Sequence, residues 1–403
     1  MEFKMNKIME LSQSRYYLIG SNSSGKTHLL KQIYRDREEN TLFFDETGTY
    51  QFLKHRERVK ISDSYYIYEN EKVKGNREDD SLPNKEPINP ESLIIIKKVA
   101  EILSKIVDKK ESSGIVKLKK MLNVLLNYNL NSIENIIMDE PENFLDETNL
   151  KYIVDVLEVF GKAGIKIFIA THSARFLELS SASIQELFVC SVTYSKGNIE
   201  YELVNKSLDE VKKIYNHIKK EIKCNLIDEK KATNYADIFG KINFFDCGEK
   251  NHQKEYISSG EVLTMYLKTI IESFEFYQAL LYKKVIIVEG LTEKLILQNA
   301  SVNDLDYQNF YFSNGKVHIP FFIELFLGFG LNVVTMFDSD IKLNEPNGKF
   351  IGLLTGYLTE KYKINQNVKI ITSEEKDLEL DYEVNDILEL FSKETGIKKA
   401  DLT

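Results

Sequence analysis

The sequence predicts an α/β fold built in two successive parts, and three observations predict it. Gly20-Ser-Asn-Ser-Ser-Gly25-Lys26-Thr27 is a glycine-bounded loop between a short apolar run, Tyr16 to Ile19, and a segment of helical periodicity. The apolar runs Ile136 to Met138 and Ile165 to Ala170 flank a helical pattern around Leu150 to Phe160, the strand–helix–strand order of a parallel sheet. Far downstream, Val285-Ile-Ile-Val-Glu289-Gly290 and Val333-Val-Thr-Met-Phe-Asp338-Ser-Asp340 are two further strand-like runs, each ending in acid.

Composition sets the bounds. A chain of 403 residues with a hydrophobic fraction of 43% is long enough for two or three domains with sizeable cores, and it is not a disordered chain. The net charge of −9 gives no global attraction to nucleic acid. The local basic runs Lys54 to Lys60, Lys117 to Lys120 and Lys212 to Lys223 read as solvated helix faces. Acidity does not exclude a nuclease, because metal ions carry much of the attraction for phosphate. Cys190, Cys224 and Cys247 lack paired spacing, which reads as free thiols in a reducing compartment. No apolar core follows Lys4 and Lys7, so no signal peptide is expected. The apolar stretch Ile319 to Phe337 holds Glu324, Gly328 and Gly330, and reads as helix, turn and strand rather than a membrane span. A cytoplasmic location is expected.

The elements follow in order. Tyr16 to Ile19 is a strand, and Leu29, Leu30 and Ile33 make the apolar face of the next helix. Thr41 to Asp45 is a second strand. The polar stretch of about 62–91, with Pro83, Pro87 and Pro90, reads as a flexible insertion. Helical spacing returns at Val99, Ile102 and Ile106, and again from Ile115 through Leu118, Met121, Leu122 and Leu125. Phe188 to Val192 and Ile199 to Val204 read as a hairpin turning at Lys196-Gly197. Ser207 with Glu210 is a capping box opening a helix whose apolar side is Val211, Ile214, Tyr215 and Ile218. A polar linker of about 225–260 precedes one long helix, expected from about Glu261 to Tyr282.

A loop of the form Gly-x-x-x-x-Gly-Lys-Thr binds phosphate through converging backbone N–H groups at a helix N-terminus. The candidates here are Gly20, Asn22, Gly25, Lys26 and Thr27, with Lys26 reaching the β/γ oxygens and Thr27 turned to magnesium. In Ile136-Ile-Met-Asp139-Glu140-Pro141-Glu142 an apolar strand delivers Asp139 towards that magnesium and Glu140 towards the attacking water. Asn143-Phe-Leu-Asp146 reads as a dimer-contacting loop. His172 ends the strand Ile167-Phe-Ile-Ala-Thr171 and reads as a γ-phosphate sensor.

This order resembles the soluble branch of the ABC-type ATPases. The resemblance implies a serine-glycine signature presented to the nucleotide of a partner subunit. Ser112-Ser113-Gly114 has the family's order and spacing, which makes Ser113 and Gly114 nucleotide-binding candidates; Ser258-Ser259-Gly260-Glu261 is the closer literal match but falls after His172. Gln51 is either the family's magnesium-contacting glutamine or a surface residue.

In the downstream part, alternate positions on a strand point to one face, so Asp338 and Asp340 aim the same way. With Glu289 on a neighbouring strand, three acids converge, an arrangement that a divalent cation neutralises. Oxygen-only ligands suit Mg²⁺ or Mn²⁺. Together these motifs resemble the Toprim domain. The run Phe276 to Glu293, with Gly315-Lys316 and the segment before Asp338, is similar to the OLD (overcoming lysogenization defect) family, over about residues 15–385.

That resemblance implies an ABC-type P-loop ATPase head followed by a Toprim (Rossmann-like) α/β domain, with boundaries at 1–280 and 281–403. It implies ATP and Mg²⁺ (or Mn²⁺) as cofactors, and cleavage of DNA or RNA by a metal pair. Glu289, Glu293, Asp338 and Asp340 are the ligands so implied, with Asp377 and Glu379 completing the second site. Lys342 or Lys316 would neutralise charge at the scissile phosphate. A homodimer or higher oligomer through the heads, a partner subunit, and a role in bacterial defence against phage or plasmids are further implications. Two other readings stand beside it: an ATP-driven scaffold with a non-cleaving Toprim fold, and topoisomerase- or primase-like chemistry.

Overall fold

The computed structural model describes residues 13–37, 40–48, 50–51, 67–69, 72–74, 90–110, 112–127, 133–195, 198–226, 259–290, 293–294, 309–313, 315–339 and 346–372. By contact the chain divides into two units, Met1–Asn205 and Lys206–Thr403.

The first unit is organised on a seven-stranded sheet in the order β3-β2-β6-β7-β1-β8-β9. Its strands are β1 (Arg15–Ile19), β2 (Thr41–Phe44), β3 (Tyr50–Gln51), β6 (Asn135–Asp139), β7 (Lys166–Ala170), β8 (Leu187–Ser195) and β9 (Asn198–Val204). The five inner strands are parallel, and β3 and β9 are antiparallel edges. Tyr16, Tyr17, Leu18 and Ile19 of β1 are all buried, which is why this strand is a continuous apolar run rather than an alternating one. Tyr16 stacks on Phe168 of β7 with ring centroids 4.8 Å apart.

The helices of this unit are α1 (Lys26–Asp36), α2 (Pro90–Ile106), α3 (Ser113–Asn127), α4 (Glu147–Lys162) and α5 (Ala174–Leu179). Buried Ile95, Val99, Ile102 and Ile106 give α2 a stripe that packs on α3 and α4. Asp146 caps α4 by accepting the Asn149 N–H at 2.8 Å, and Ser173 caps α5 by accepting that of Phe176 at 3.1 Å. Within the stretch read as an insertion, β4 (Ile67–Glu69) and β5 (Lys72–Lys74) form a small antiparallel pair. The Lys196-Gly197 turn lies outside the described residues; the strands either side of it pair in the expected hairpin.

The second unit carries a four-stranded sheet ordered β11-β10-β12-β13, made of β10 (Lys284–Val288), β11 (Phe310–Phe312), β12 (Asn332–Phe337) and β13 (Val368–Thr372), all parallel. Its helices are α6 (Leu208–Leu226), α7 (Ser259–Ile271), α8 (Phe274–Leu280), α9 (Ile319–Gly328) and α10 (Pro346–Tyr362). Phe276, Tyr311, Phe322 and Phe326 form a buried aromatic cluster joining α8, β11 and α9. The capping box at the start of α6 is present: Ser207 N–H donates to Glu210 at 2.7 Å and Glu210 N–H to the Ser207 hydroxyl at 3.2 Å.

One expectation changes here. The single helix from Glu261 to Tyr282 is two helices, because Ser273 turns out of the helix and caps α8, accepting the Phe276 N–H at 3.2 Å. The division by contact falls at Asn205/Lys206, inside the stretch that the sequence reading takes as the head. The reason is α6, whose buried Val211, Ile218 and Ile222 belong to a helix packed on α9 and α10. Lys361 ties the same elements, lying 2.8 Å from Glu221 and 3.1 Å from Glu324. Among the described residues no helix is long and apolar enough to cross a membrane.

Candidate functional site

The phosphate loop links the end of β1 to α1. Gly20 and Gly25 hold φ of +136° and +86°, in the region that favours glycine. A Cβ at Gly20 would also lie 2.7 Å from the Cys190 carbonyl, so this position requires glycine twice over. Lys26 is buried and donates to the carbonyls of Gly20 at 3.0 Å and Ser21 at 3.1 Å. Burial draws its ammonium below the usual lysine range, opposed by Cys190, Glu140 and Asp139. Asn22 is exposed on the same loop.

Sheet order brings the remaining residues to this loop. One strand, β7, separates β1 from β6, so His172 at the end of β7 falls between the loop and the acids of β6. The Thr27 hydroxyl donates to Asp139 at 3.1 Å. Burial raises the Asp139 carboxyl above its ordinary range, with the Thr27 bond opposing. His172 Nδ1 lies 3.1 Å from Glu140, whose other oxygen accepts from the Asn143 amide at 2.6 Å. Glu140 itself holds φ +47°, a strained setting for a non-glycine residue.

Glu142 is a site residue that the motif reading quoted without giving it a role. It is buried, accepts the Thr171 hydroxyl at 2.5 Å and the His172 N–H at 3.1 Å, and so fixes the strand end that carries His172. Its position in the Asp-Glu-Pro-Glu run was the available signal.

Ser113 is exposed in the first turn of α3, and Gly114 is buried beneath it. A Cβ at Gly114 would lie 2.1 Å from the Phe144 carbonyl, so the helix start rests directly on the loop after β6. Phe144 is 69% exposed there with φ +68°. Ser259 and Gly260 begin α7, and Ser258 lies outside the described residues. Gln51 is on β3, opposite Phe43.

In the second unit, the chain leaves β10 for β11 on one side and returns to β12 on the other. The crevice at the C-terminal ends of β10 and β12 is therefore a topological switch point, the usual ligand position of an open parallel sheet. Val288 pairs with Met336, so Glu289 and Asp338 follow the ends of adjacent strands. Glu293 is buried and accepts the Gly290 N–H at 2.9 Å. Burial raises its carboxyl above the ordinary range, and the Asp338 and Glu289 charges add to this. All three acids are thus within electrostatic reach.

Lys316 stands between them. It is 1% exposed; its backbone N–H donates to Glu289 at 3.2 Å, its ammonium donates to the Asp338 carbonyl, and it lies 5.3 Å from the Phe337 ring centroid. The sequence reading offers Lys316 for neutralising charge at the scissile phosphate; the fold buries it as a tie between the two strand ends. Asp340, Lys342, Asp377 and Glu379 lie outside the described residues.

The comparisons bear on this unit first. Residues 280–340 match the family described as Overcoming lysogenization defect protein-like, TOPRIM domain. That match takes in β10, β11 and β12 of the four-stranded sheet, and the chain has the expected α/β class, a seven-stranded mixed sheet followed by a smaller parallel one. Among curated proteins none matches the sequence. A solved structure described as an inward-facing conformation of a metal-chelate type ABC transporter matches over 48% of this chain and 73% of its own, at 12% identity and a TM-score of 0.24.

Both sites have donor sets that fit their implied groups. In the phosphate loop the Ser24 hydroxyl is buried without a hydrogen-bond partner, beside N–H groups at the start of α1. In the Toprim-like stretch 280–340 the donors are carboxylate oxygens, which suit Mg²⁺ or Mn²⁺. Among the described residues no group of three or more histidine, cysteine, aspartate or glutamate side chains is placed to hold a metal ion.

Proposed function

We propose that this chain is an ATP-hydrolysing enzyme whose Toprim domain cleaves phosphodiester bonds of nucleic acid with divalent metal. The observation that carries this reading is the meeting of Glu289, Asp338 and buried Lys316 at the switch point of a sheet matching an OLD-like Toprim domain. A complete phosphate loop in the same chain supports the ATPase part.

In the head, Lys26 and the loop N–H groups bind the triphosphate, and Thr27 with Asp139 would hold Mg²⁺. Glu140, steadied by Asn143, takes a proton from the attacking water, and His172 faces the γ-phosphate. Ser113 and Gly114 face the nucleotide of a second copy, and exposed Phe144 lies in the loop that contacts it. In the Toprim domain, Glu289, Glu293 and Asp338, with Asp340, Asp377 and Glu379, would hold Mg²⁺ or Mn²⁺. Such ions, when bound, stabilise the attacking and leaving oxygens of an in-line displacement. Lys316 keeps Glu289 and the Asp338 main chain in register for that task. Defence against phage or plasmids is the biological role that goes with this reading.

The test is cleavage of supercoiled plasmid and of total tRNA with Mg²⁺ or Mn²⁺, with and without ATP, by wild type, Asp338→Ala and Lys26→Ala. Cutting that disappears in Asp338→Ala and changes with ATP or in Lys26→Ala supports the proposal and names the substrate. A second reading is an ATP-driven scaffold with a non-cleaving Toprim fold. It takes the lead if ATP is hydrolysed and no nucleic acid is cut.

A further inference from the structure

Beside the phosphate loop lies an aromatic pair that the hydrolytic residues do not use. His28, in the first turn of α1, is exposed, and its ring stacks on Tyr201 of β9 with centroids 5.1 Å apart and planes within 6°. Tyr201 also leans on the loop, since a Cβ at Gly25 would lie 2.4 Å from its ring and 3.0 Å from Val192. Val192 and Tyr201 are partners across the β8–β9 hairpin, so the hairpin forms a wall along this side of the loop.

Topology says which end of a nucleotide meets that wall. Lys26 and Thr27 set the place of the β- and γ-phosphates and the metal. The γ end faces Glu140 and His172, which stand on β6 and β7 to one side of β1. The nucleoside end therefore leaves towards the other side of β1, where β8 and β9 lie. His28 and Tyr201 stand on that side, against the loop.

We propose that His28, backed by Tyr201, is the stacking surface for the base of the bound nucleoside triphosphate. Two rings already parallel lose little freedom when a third stacks on the exposed imidazole face. Stacking uses the π-face that every base has, so this surface favours purines by area and discriminates adenine from guanine weakly. The inference rests on the ATP-binding reading above.

The test separates the two. The full chain is titrated by calorimetry, with Mg²⁺, against a non-hydrolysable ATP analogue and against inorganic tripolyphosphate, which has no base. His28→Ala is expected to raise the Kd for the analogue on the order of 10-fold, the loss typical of one stacking ring, with tripolyphosphate binding unchanged. His28→Phe restores the affinity for the analogue, and Lys26→Ala loses both ligands. If His28→Ala weakens both ligands equally, the pair only braces the loop and the proposal is overturned. It is also overturned if His28→Ala changes neither ligand while Lys26→Ala loses both, an outcome that leaves the ATP-binding reading standing. Wild type that binds neither ligand overturns both.

Discussion

Lys117 donates its ammonium to the main-chain carbonyl of Glu140 across 3.0 Å, from the same helix whose first turn carries Ser113 and Gly114. A second bond reaches the Asn143 carbonyl at 3.2 Å. Lys117 is buried, and burial draws it below the usual lysine range against the pull of Glu142 and Asp45. The start of α3 and the loop after β6 are thereby one mechanical piece, so a displacement at Ser113 is felt at the backbone of Glu140.

Lys117→Met keeps the length of the side chain and removes both bonds. Leaving two carbonyls without their donor is expected to cost about 1–3 kcal/mol of stability. ATP hydrolysis in single turnover falls, while ATP affinity measured by calorimetry stays near wild type, because both Lys117 bonds go to the loop after β6. A variant with wild-type turnover would show that the loop holds its geometry without this tie.

Glu142 carries a pH signature. Burial raises its carboxyl above the ordinary range, so the folded state holds a proton that the unfolded chain releases near the usual carboxylate pKa. The sign follows: its contribution is fully present below the unfolded pKa and is lost as pH rises through the folded pKa. In Glu142→Gln the amide oxygen accepts from Thr171 and from the His172 N–H as before, without the charge. The Tm of this variant relative to wild type is expected to rise between acid and neutral pH; a difference independent of pH would refute the assignment.

Lys316→Met removes the donor to the Asp338 carbonyl and the cation from the Phe337 ring. Metal-dependent cleavage is expected to fall roughly 100-fold, the loss that follows a small misplacement of reacting groups. The ATPase rate is expected to stay unchanged, and Tm to drop. Cleavage at the wild-type rate in the folded variant would mean that the strand ends align without Lys316.

Two glycines give opposite outcomes. Gly114→Ala brings its Cβ to 2.1 Å from the Phe144 carbonyl, so helix and loop must separate and Tm falls. Gly356 lies in α10, where a Cβ meets nothing within 4 Å. Gly356→Ala should stabilise by about 0.5–1 kcal/mol by reducing the freedom of the unfolded chain. Thermal melts of the two variants check both signs.

The local motifs were legible because their chemistry is contiguous. Gly20 to Thr27 needs only one loop and one helix start, and the expected cap of α6 is a bond between Ser207 and Glu210. The parallel strands β1, β6, β7, β10 and β12 announced themselves as apolar runs because both faces of such strands are covered. The break at Ser273 was hidden in an unbroken apolar period, since a serine cap and a solvated helical serine look alike in sequence.

By itself, then, the sequence determined the α/β class, the phosphate loop, and the acids that follow β10 and β12, all properties of neighbouring residues and of strand burial. Only the tertiary structure decided that Lys117 holds Glu140, that Lys316 is buried between Glu289 and Asp338, that Tyr201 stacks on His28, and that α6 packs with α9 and α10. Those are contacts between residues far apart in the chain. Strand order and crossover direction choose such partners, and neither leaves a periodic trace along the sequence.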